Sequence, residues 1–372
     1  VAYTLYRTPT KIARIRSAEY TSNPRLFSDE ALSVDVWISP EQLVTEYVER
    51  LIRYPGALQV LTFAAGRLRL VGVRAGGSAP LVGHPIRMLR DHLPDVEVRV
   101  VAVYRDGRSL EPGAELVLKE DDEVFFLAER DQVRRVMSEL RKEDNPAKRV
   151  VIAGGGSIGF RLARMLEKTH HVKVIERDPK RARHISEILE HAIVLHGDAA
   201  DEELLIEENI DSADVFAALT NSEEANILSA MLAKRLGAAK VMALINKPSY
   251  AELMESGSID VAISPQSVTI GSLLAHVRRG DIVRVHSLKH GAAEAMEAIA
   301  HSEGGRSRVV GVAVGEIALP DGARIGAIVR DQKVIMTQDN TVVEEGDHVI
   351  IFLADRRHVE QVERLFMTAT PR

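Results

Sequence analysis

An apolar strand, Arg149–Ala153, runs straight into Gly154-Gly155-Gly156-Ser157-Ile158-Gly159, and the chain continues as a helical stretch, Phe160–Glu167. A second strand, Val172–Ile175, follows and ends on an acid, Glu176. Few folds accept this order of strand, glycine turn, helix, strand and terminal acid; it is the βαβ unit of dinucleotide-binding domains. Gly154 permits the tight turn, Gly156 lets the backbone approach a pyrophosphate with no Cβ in the way, and Gly159 lets the helix pack closely on the strand. The N–H groups at the helix start, from Gly155 through Ser157 and Ile158, together with the positive end of the helix dipole, suit phosphate charge. Glu176 is placed to accept the two hydroxyls of an adenosine ribose. The competing reading is a Rossmann half that keeps its shape and holds nothing.

The same diol belongs to NAD, ATP, ADP and S-adenosylmethionine, so the run does not name its ligand. Arg177 by itself suits a 2′-phosphate, but Glu176 beside it repels one, which favours NAD or an adenosine nucleotide over NADP. Composition excludes other classes. With 372 residues there is room for several domains with sizeable cores. A net charge of −6 argues against a nucleic-acid partner, which favours a strongly basic face. No apolar run approaches the roughly 18–20 residues needed to span a bilayer. The chain has no cysteine, which excludes disulfides, thiolate nucleophiles and cysteine metal sites and fits a reducing compartment.

The chain repeats itself at a spacing of about 225–230 residues. Val34–Pro40 matches Ile259–Pro265, Arg105-Asp106 matches Arg330-Asp331, and Glu120–Ala128 matches Glu345–Ala354. Each unit reads as a Rossmann domain followed by a small β-rich domain. The expected fold class is α/β: a Rossmann-type doubly wound parallel sheet plus small α+β companion domains, in tandem. The expected divisions are a remnant of the first Rossmann domain at 1–54, its small domain at 55–142, a complete second Rossmann domain at 148–279 and its small domain at 280–372. In the second Rossmann domain, strands are expected near 149–154, 171–176, 192–197, 214–220, 240–245 and 261–264. Helices are expected near 157–168, 179–190, 201–208, 223–236 and 249–256. In the first unit Lys11–Arg14 aligns with the fifth strand at Lys240, and Val1–Tyr6 reads as the tail of the fourth helix. On this alignment about 80–90 residues are expected before Val1, since one or two strands cannot close a Rossmann sheet. A genuinely short first domain is the alternative. A helix follows each Ser-Pro, at Pro40–Arg53 and Pro265–Arg279, with stripes Leu43, Tyr47, Leu51 and Val268, Leu273, Leu274, Val277. From pattern alone each is either an internal packing helix or a hinge or dimer-contact helix.

Beyond the glycine turn, Asp198 follows the third strand, and Thr220-Asn221 ends the fourth. Both lie at the carboxyl edge where open α/β sheets bind ligands. Asp198 is a candidate for the adenine side and Thr220 and Asn221 for ribose or phosphate; the alternative for Asp198 and Asn221 is a helix cap. Arg14, at the end of the first unit's corresponding strand, is a candidate phosphate contact in the first site or a surface ion pair. Catalytic groups are scarce: there is no H-E-x-x-H spacing and no Tyr-x-x-x-Lys pair. The charge clusters Arg177–Arg183 and Glu202–Glu208 read as solvated helix faces.

Gly154–Gly159, Glu176, Gly197-Asp198-Ala199 and Leu219–Asn226 resemble the regulator-of-potassium-conductance (RCK, or KTN) domain family, and the small domains resemble its C-terminal companion. Two such pairs in tandem, with Ala13–Arg16, Tyr54–Val60 and Ile263–Gln266, resemble the regulators of Trk-type potassium uptake. The resemblance covers essentially the whole chain and departs at the N-terminus, where the family's first glycine turn is expected before Val1. It implies a regulatory subunit rather than an enzyme, cytoplasmic and peripheral on the cytoplasmic face of the inner membrane. It also implies a homo-oligomer, a tetrameric ring, whose partner is the membrane potassium-translocating subunit of the Trk system. The cofactors it implies are NAD or NADH and ATP or ADP, which control ion flux. From the residues alone, an NAD-dependent Rossmann oxidoreductase and a soluble sensor without a membrane partner stay open.

Overall fold

The computed structural model describes residues 6–8, 10–16, 20, 23–28, 31–142, 146–247, 250, 259–277, 281–288, 292–302 and 308–367, and structural statements below concern these. The chain divides into two compact units. Val1–Ile52 joins Ala147–Leu273 in one, and Arg53–Pro146 joins Leu274–Arg372 in the other.

The first unit opens with β1 (Ile12–Arg14) and β2 (Val36–Ile38), paired in parallel with Ile12 opposite Val36. The helix Pro40–Arg53 follows, its first turn held by Ser39, whose hydroxyl accepts the Gln42 N–H at 3.4 Å. Val44, Tyr47, Val48, Leu51 and Ile52 of this helix are buried, so it is a packing helix. The expected helix tail at Val1–Tyr6 lies outside the described residues except for Tyr6.

Five strands then form a small antiparallel sheet: β3 (Ala57–Phe63), β4 (Leu68–Arg74), β5 (Val98–Arg105), β6 (Arg108–Leu110) and β7 (Glu123–Glu129), in the order β3-β4-β7-β5-β6. The helix Val133–Leu140 closes it, burying Val133, Val136, Met137 and Leu140.

The complete Rossmann sheet comprises β8 (Arg149–Ala153), β9 (His171–Glu176), β10 (Ile193–His196), β11 (Val215–Ala218), β12 (Lys240–Leu244) and β13 (Val261–Ile263). All pairings are parallel and the order is β10-β9-β8-β11-β12-β13. The order reverses beside β8, which opens a crevice between the carboxyl ends of β8 and β11. Strands β11 and β12 are buried along their whole length, as a sheet covered on both faces requires. Helices at Ser157–Leu166, Pro179–Ser186, Glu202–Glu207 and Glu223–Arg235 connect the strands. The helix expected at 249–256 lies outside the described residues, apart from Tyr250. At the far end of the first helix, burial pushes the Glu167 carboxyl up, but the N–H groups of Glu190, His191 and Ala192 outweigh it and hold its pKa below the usual value.

The helix Pro265–Val277 repeats the position of Pro40–Arg53, yet only Gly271 in it is buried, and Ile270, Leu273 and Val277 are exposed. The two matched helices thus differ in packing despite similar sequence stripes. The second small sheet copies the first: β14 (Ile282–Leu288), β15 (Ala293–Ile299), β16 (Ala323–Arg330), β17 (Lys333–Met336) and β18 (His348–Leu353) lie in the order β14-β15-β18-β16-β17. The fold is therefore a tandem repeat of Rossmann and α+β parts. Among the described residues, no helix is long and apolar enough to cross a membrane.

One device is built twice, at matched positions of the repeat. Arg105 donates Nε and Nη2 to the two oxygens of Asp122 at 2.7 Å, and Nη2 also donates to Val117 O at 2.9 Å. Arg330 does the same to Asp347 at 2.8 Å and to Val342 O at 2.8 Å. Both aspartates are fully buried, and each also accepts a backbone N–H, from Lys119 or Glu344. The bidentate bond holds each guanidinium pKa above the usual arginine value. Asp347→Asn should cost about 2 kcal/mol, since one guanidinium bond loses its acceptor and the pair its charge. Urea unfolding of wild type and variant would measure it.

Within the second unit the two small domains meet through matched contacts. Arg99 Nη1 donates to Thr337 O at 2.5 Å, and Arg324, its counterpart in the repeat, bonds Glu111. Gln59 donates to Ser287 O at 3.0 Å, and His286 bonds Thr62 O at 3.2 Å. Corresponding segments of the two copies thus face each other, though with different donors and acceptors.

Candidate functional site

Strand β8 ends in the glycine turn, where the backbone and its neighbours leave no room for a side chain at Gly154 or Gly159. Gly154 has φ +101°, and a Cβ on it would lie 3.0 Å from Thr220 Cγ2. At Gly159 a Cβ would fall 2.0 Å from the Gly154 carbonyl oxygen, so this helix reaches its strand only with glycine there. A Cβ on Gly156, by contrast, would meet nothing within 4 Å. The open side of Gly156 is space that the protein does not fill.

The helix Ser157–Leu166 begins at Gly156 with no side-chain cap, and its first backbone bond is Phe160 N–H to Gly156 O at 2.9 Å. Among the described residues, the N–H groups of Gly156, Ser157, Ile158 and Gly159 therefore have no protein acceptor. The three helices that follow at the same sheet edge all have capped starts. Asp178 accepts Arg181 N–H, Asp201 accepts Glu203 and Leu204 N–H, and Ser222 accepts Ala225 N–H. Of these four helix starts, the one without a side-chain cap is the one at the glycine turn.

Glu176 ends β9 beside the turn. Its Oε2 accepts Gly155 N–H at 2.7 Å and its Oε1 accepts Asp178 N–H at 2.8 Å. Each oxygen retains a lone pair for a further donor. Asp198 is exposed two residues beyond the end of β10, and Gly197 N–H donates to Glu176 O at 3.1 Å, which ties the two strand ends together. Asp198 accepts Ala200 N–H at 2.9 Å in a local turn. It does not cap the next helix, because Asp201 occupies that position; likewise Ser222, not Asn221, caps Glu223–Arg235. The cap alternative for Asp198 and Asn221 is thereby corrected, since the capping residue stands three positions further on in one case and one in the other.

Thr220 packs against Gly154 and is tied to Asn226, a fully buried residue that stands in the sequence only as the last member of the family motif Leu219–Asn226. Asn226 Oδ1 accepts Thr220 N–H at 2.8 Å and Thr220 Oγ1–H at 2.7 Å, and its Nδ2 donates to Thr220 O and Leu244 O. All of Asn226's capacity is used, so it braces the crevice wall. Asn221 is exposed at the rim. Arg14 is exposed on β1 and lies 3.8 Å from the Glu41 carboxylate as an ion pair.

Arg181 departs from the expected solvated helix face. Its Nε donates to Gly155 O at 2.8 Å, and its guanidinium lies 5.4 Å above the Phe160 ring, which Arg164 also approaches at 5.9 Å. A helical arginine three residues after a capping aspartate carries no sequence signal for this, because the contact depends on how the helix lies over the turn.

The TrkA-N domain family matches residues 150–265, and the TrkA-C domain family matches twice, at 70–141 and 306–367. The Trk system potassium uptake protein TrkA of Halomonas elongata is 55% identical over 366 residues, covering 98% of this chain and 80% of that one. This chain belongs to the TrkA family. The TrkA of Vibrio alginolyticus is 54% identical over 98% of this chain and 80% of its own length, and that of Haemophilus influenzae 45% over the same shares. Among solved structures, the GsuK RCK domain matches with TM-score 0.51 at 19% identity over 96% of this chain and 75% of that chain. The GsuK channel bound to NAD matches with TM-score 0.51 at 18% identity over 96% of this chain and 62% of that one. At that identity these likenesses establish the RCK fold. The double TrkA-C match falls on the two copies of the small sheet, and the TrkA-N match covers the sheet that carries the glycine turn.

Proposed function

We propose that the chain is the nucleotide-sensing regulatory subunit of a Trk-type potassium uptake system, not an enzyme. The observation that carries this reading is the bare helix start at Gly156, open on its ligand side and flanked by Glu176, Thr220, Asn221 and Asp198. In this reading Gly154, Gly155, Gly156, Ser157, Ile158 and Gly159 form the phosphate seat, and the free N–H groups of Gly156, Ser157, Ile158 and Gly159 take the diphosphate of NAD(H), ATP or ADP. Glu176 uses its remaining lone pairs on the ribose hydroxyls, with Asp198 near the base. Arg14 belongs to the corresponding site of the first Rossmann domain. The chain acts from the cytoplasmic face of the inner membrane, as a homo-oligomeric ring against the membrane potassium-translocating subunit. The names of its TrkA relatives and the NAD-bound RCK neighbour support this.

Such a regulator works only if the nucleotide binds two conformations unequally. A coupling of about 1–3 kcal/mol changes channel affinity or opening by roughly 5- to 150-fold. The test is potassium flux through vesicles that contain the membrane subunit and the full chain, with NAD, NADH, ATP or ADP added in turn. Flux should change with at least one nucleotide; flux indifferent to all four overturns the gating reading. Glu176→Gln should weaken binding of every adenosine nucleotide about tenfold, because an amide offers one acceptor oxygen where the carboxylate offers two, and calorimetry reads it directly.

A further inference from the structure

The glycine turn is held from both sides by two neighbouring side chains. Glu176 accepts the Gly155 N–H at 2.7 Å, and Arg181 Nε donates to the Gly155 carbonyl at 2.8 Å. The carbonyl of Gly155 and the N–H of Gly156 belong to one peptide plane. In a planar trans peptide those two groups point in opposite directions. A donor that pulls the Gly155 carbonyl one way therefore turns the Gly156 N–H the other way, toward the side on which no protein atom lies within 4 Å of a Gly156 Cβ. With φ of −67° and ψ of −166° at Gly156, the chain then enters the helix with its next donors on that same side. Glycine has little preference of its own, so something else must select this peptide orientation. Arg181 is equipped to do so. Its own N–H is capped by Asp178 at 2.7 Å, and its guanidinium is stacked over Phe160 on the very helix that the turn begins.

We propose that Arg181 is a positioning residue of the nucleotide site: by binding the Gly155 carbonyl it aims the Gly156 N–H at the phosphate of the ligand. The proposal rests on the nucleotide reading above and deepens it. Arg181 acts from behind the turn and through it, so its effect is confined to ligands that carry phosphate. Adenosine uses Glu176 and Asp198 and is indifferent to the Gly156 N–H.

The experiment is calorimetric titration of ADP and of adenosine into the full chain, as wild type, Arg181→Met, Arg181→Gln and Arg181→Lys. Met keeps the aliphatic stem against Phe160 but has no donor. Gln carries an N–H at the same number of bonds from the backbone as arginine Nε, without charge. Lys has charge but sets its donor one atom further out. Arg181→Met should weaken ADP about tenfold, the worth of one well-placed hydrogen bond, and leave adenosine unchanged. Arg181→Gln should recover most of the ADP affinity. Unchanged ADP affinity in Arg181→Met, or equal losses for ADP and adenosine, would overturn the proposal. So would rescue by Lys without rescue by Gln, which would make charge rather than orientation the cause. A wild-type chain that binds no ADP overturns the nucleotide reading itself, a result distinct from any difference among variants. Thermal midpoints of the four proteins, expected to agree, separate these effects from misfolding.

Discussion

Gly156→Asp should abolish nucleotide binding while leaving the protein as stable as before. The backbone at Gly156 is extended, with φ −67° and ψ −166°, which any L residue adopts without strain. A Cβ there meets nothing within 4 Å. Aspartate is moreover a good N-cap, so its carboxylate can bond the bare N–H groups of the helix start and offset any small loss. The same carboxylate occupies those donors and sets a negative charge where a phosphate must sit. Affinity for NAD(H), ATP and ADP should fall by about a hundredfold or more, equivalent to about 2.7 kcal/mol. The thermal midpoint should stay within about 2 °C of wild type. Calorimetry and a thermal melt on the same preparation check both halves. Retained affinity would move the site away from this turn.

Gly159→Ala should do the reverse, destroying the domain rather than its ligand contact. The added Cβ would lie 2.0 Å from Gly154 O and 3.1 Å from Ile152 Cγ2. The nearer atom is backbone, at a turn with φ +101° where Thr220 leaves no room for a Cβ on Gly154. No side-chain rotation relieves such a contact, so the helix must move off the sheet. Leu162, Ala163 and Leu166 of that helix are buried and would lose packing. A cost of about 3–5 kcal/mol is expected, a large share of the roughly 5–15 kcal/mol that holds a typical domain together. Urea unfolding should show a clearly lower midpoint, and limited proteolysis should cut the TrkA-N region first. Gly156→Ala is the control: one methyl added three residues earlier, with wild-type stability expected. Equal stability of the two alanine variants would mean that helix and strand are not in the close contact described.

Much of this architecture is legible in the residues. The βαβ order, the alternating strands and helices and the repeat depend on local patterns, namely runs of apolar residues and glycines at fixed spacing, which survive in a linear reading. The roles of Gly154 and Gly159 are legible for the same reason: a tight turn and a close helix are properties of a short segment. The caps are not. Asp198 and Asn221 stand before helices, but Asp201 and Ser222 do the capping, because a helix start is set by where the turn ends and several polar residues compete for it. Arg181 reads as part of a solvated charged face because nothing in its neighbours reveals that its helix crosses over the turn. Asn226, at a helical position, gives no sign in sequence that it is buried and bonded to both Thr220 and Leu244.

The two Ser-Pro helices show the limit most plainly. Their stripes look alike, yet one is buried along Val44, Tyr47, Val48, Leu51 and Ile52, while the other buries Gly271 alone. By itself the sequence determined which segments become strands and helices, that the pattern occurs twice, and where the backbone must lack a side chain. These follow from covalent sterics and from periodicity. Only the tertiary structure decided which polar groups find partners: the Arg105–Asp122 and Arg330–Asp347 clamps, the brace at Asn226, and the pair Glu176 and Arg181 that grips Gly155. A buried polar group is stabilised by atoms drawn from any distance along the chain, so its partner is chosen by three-dimensional packing and not by its neighbours in sequence.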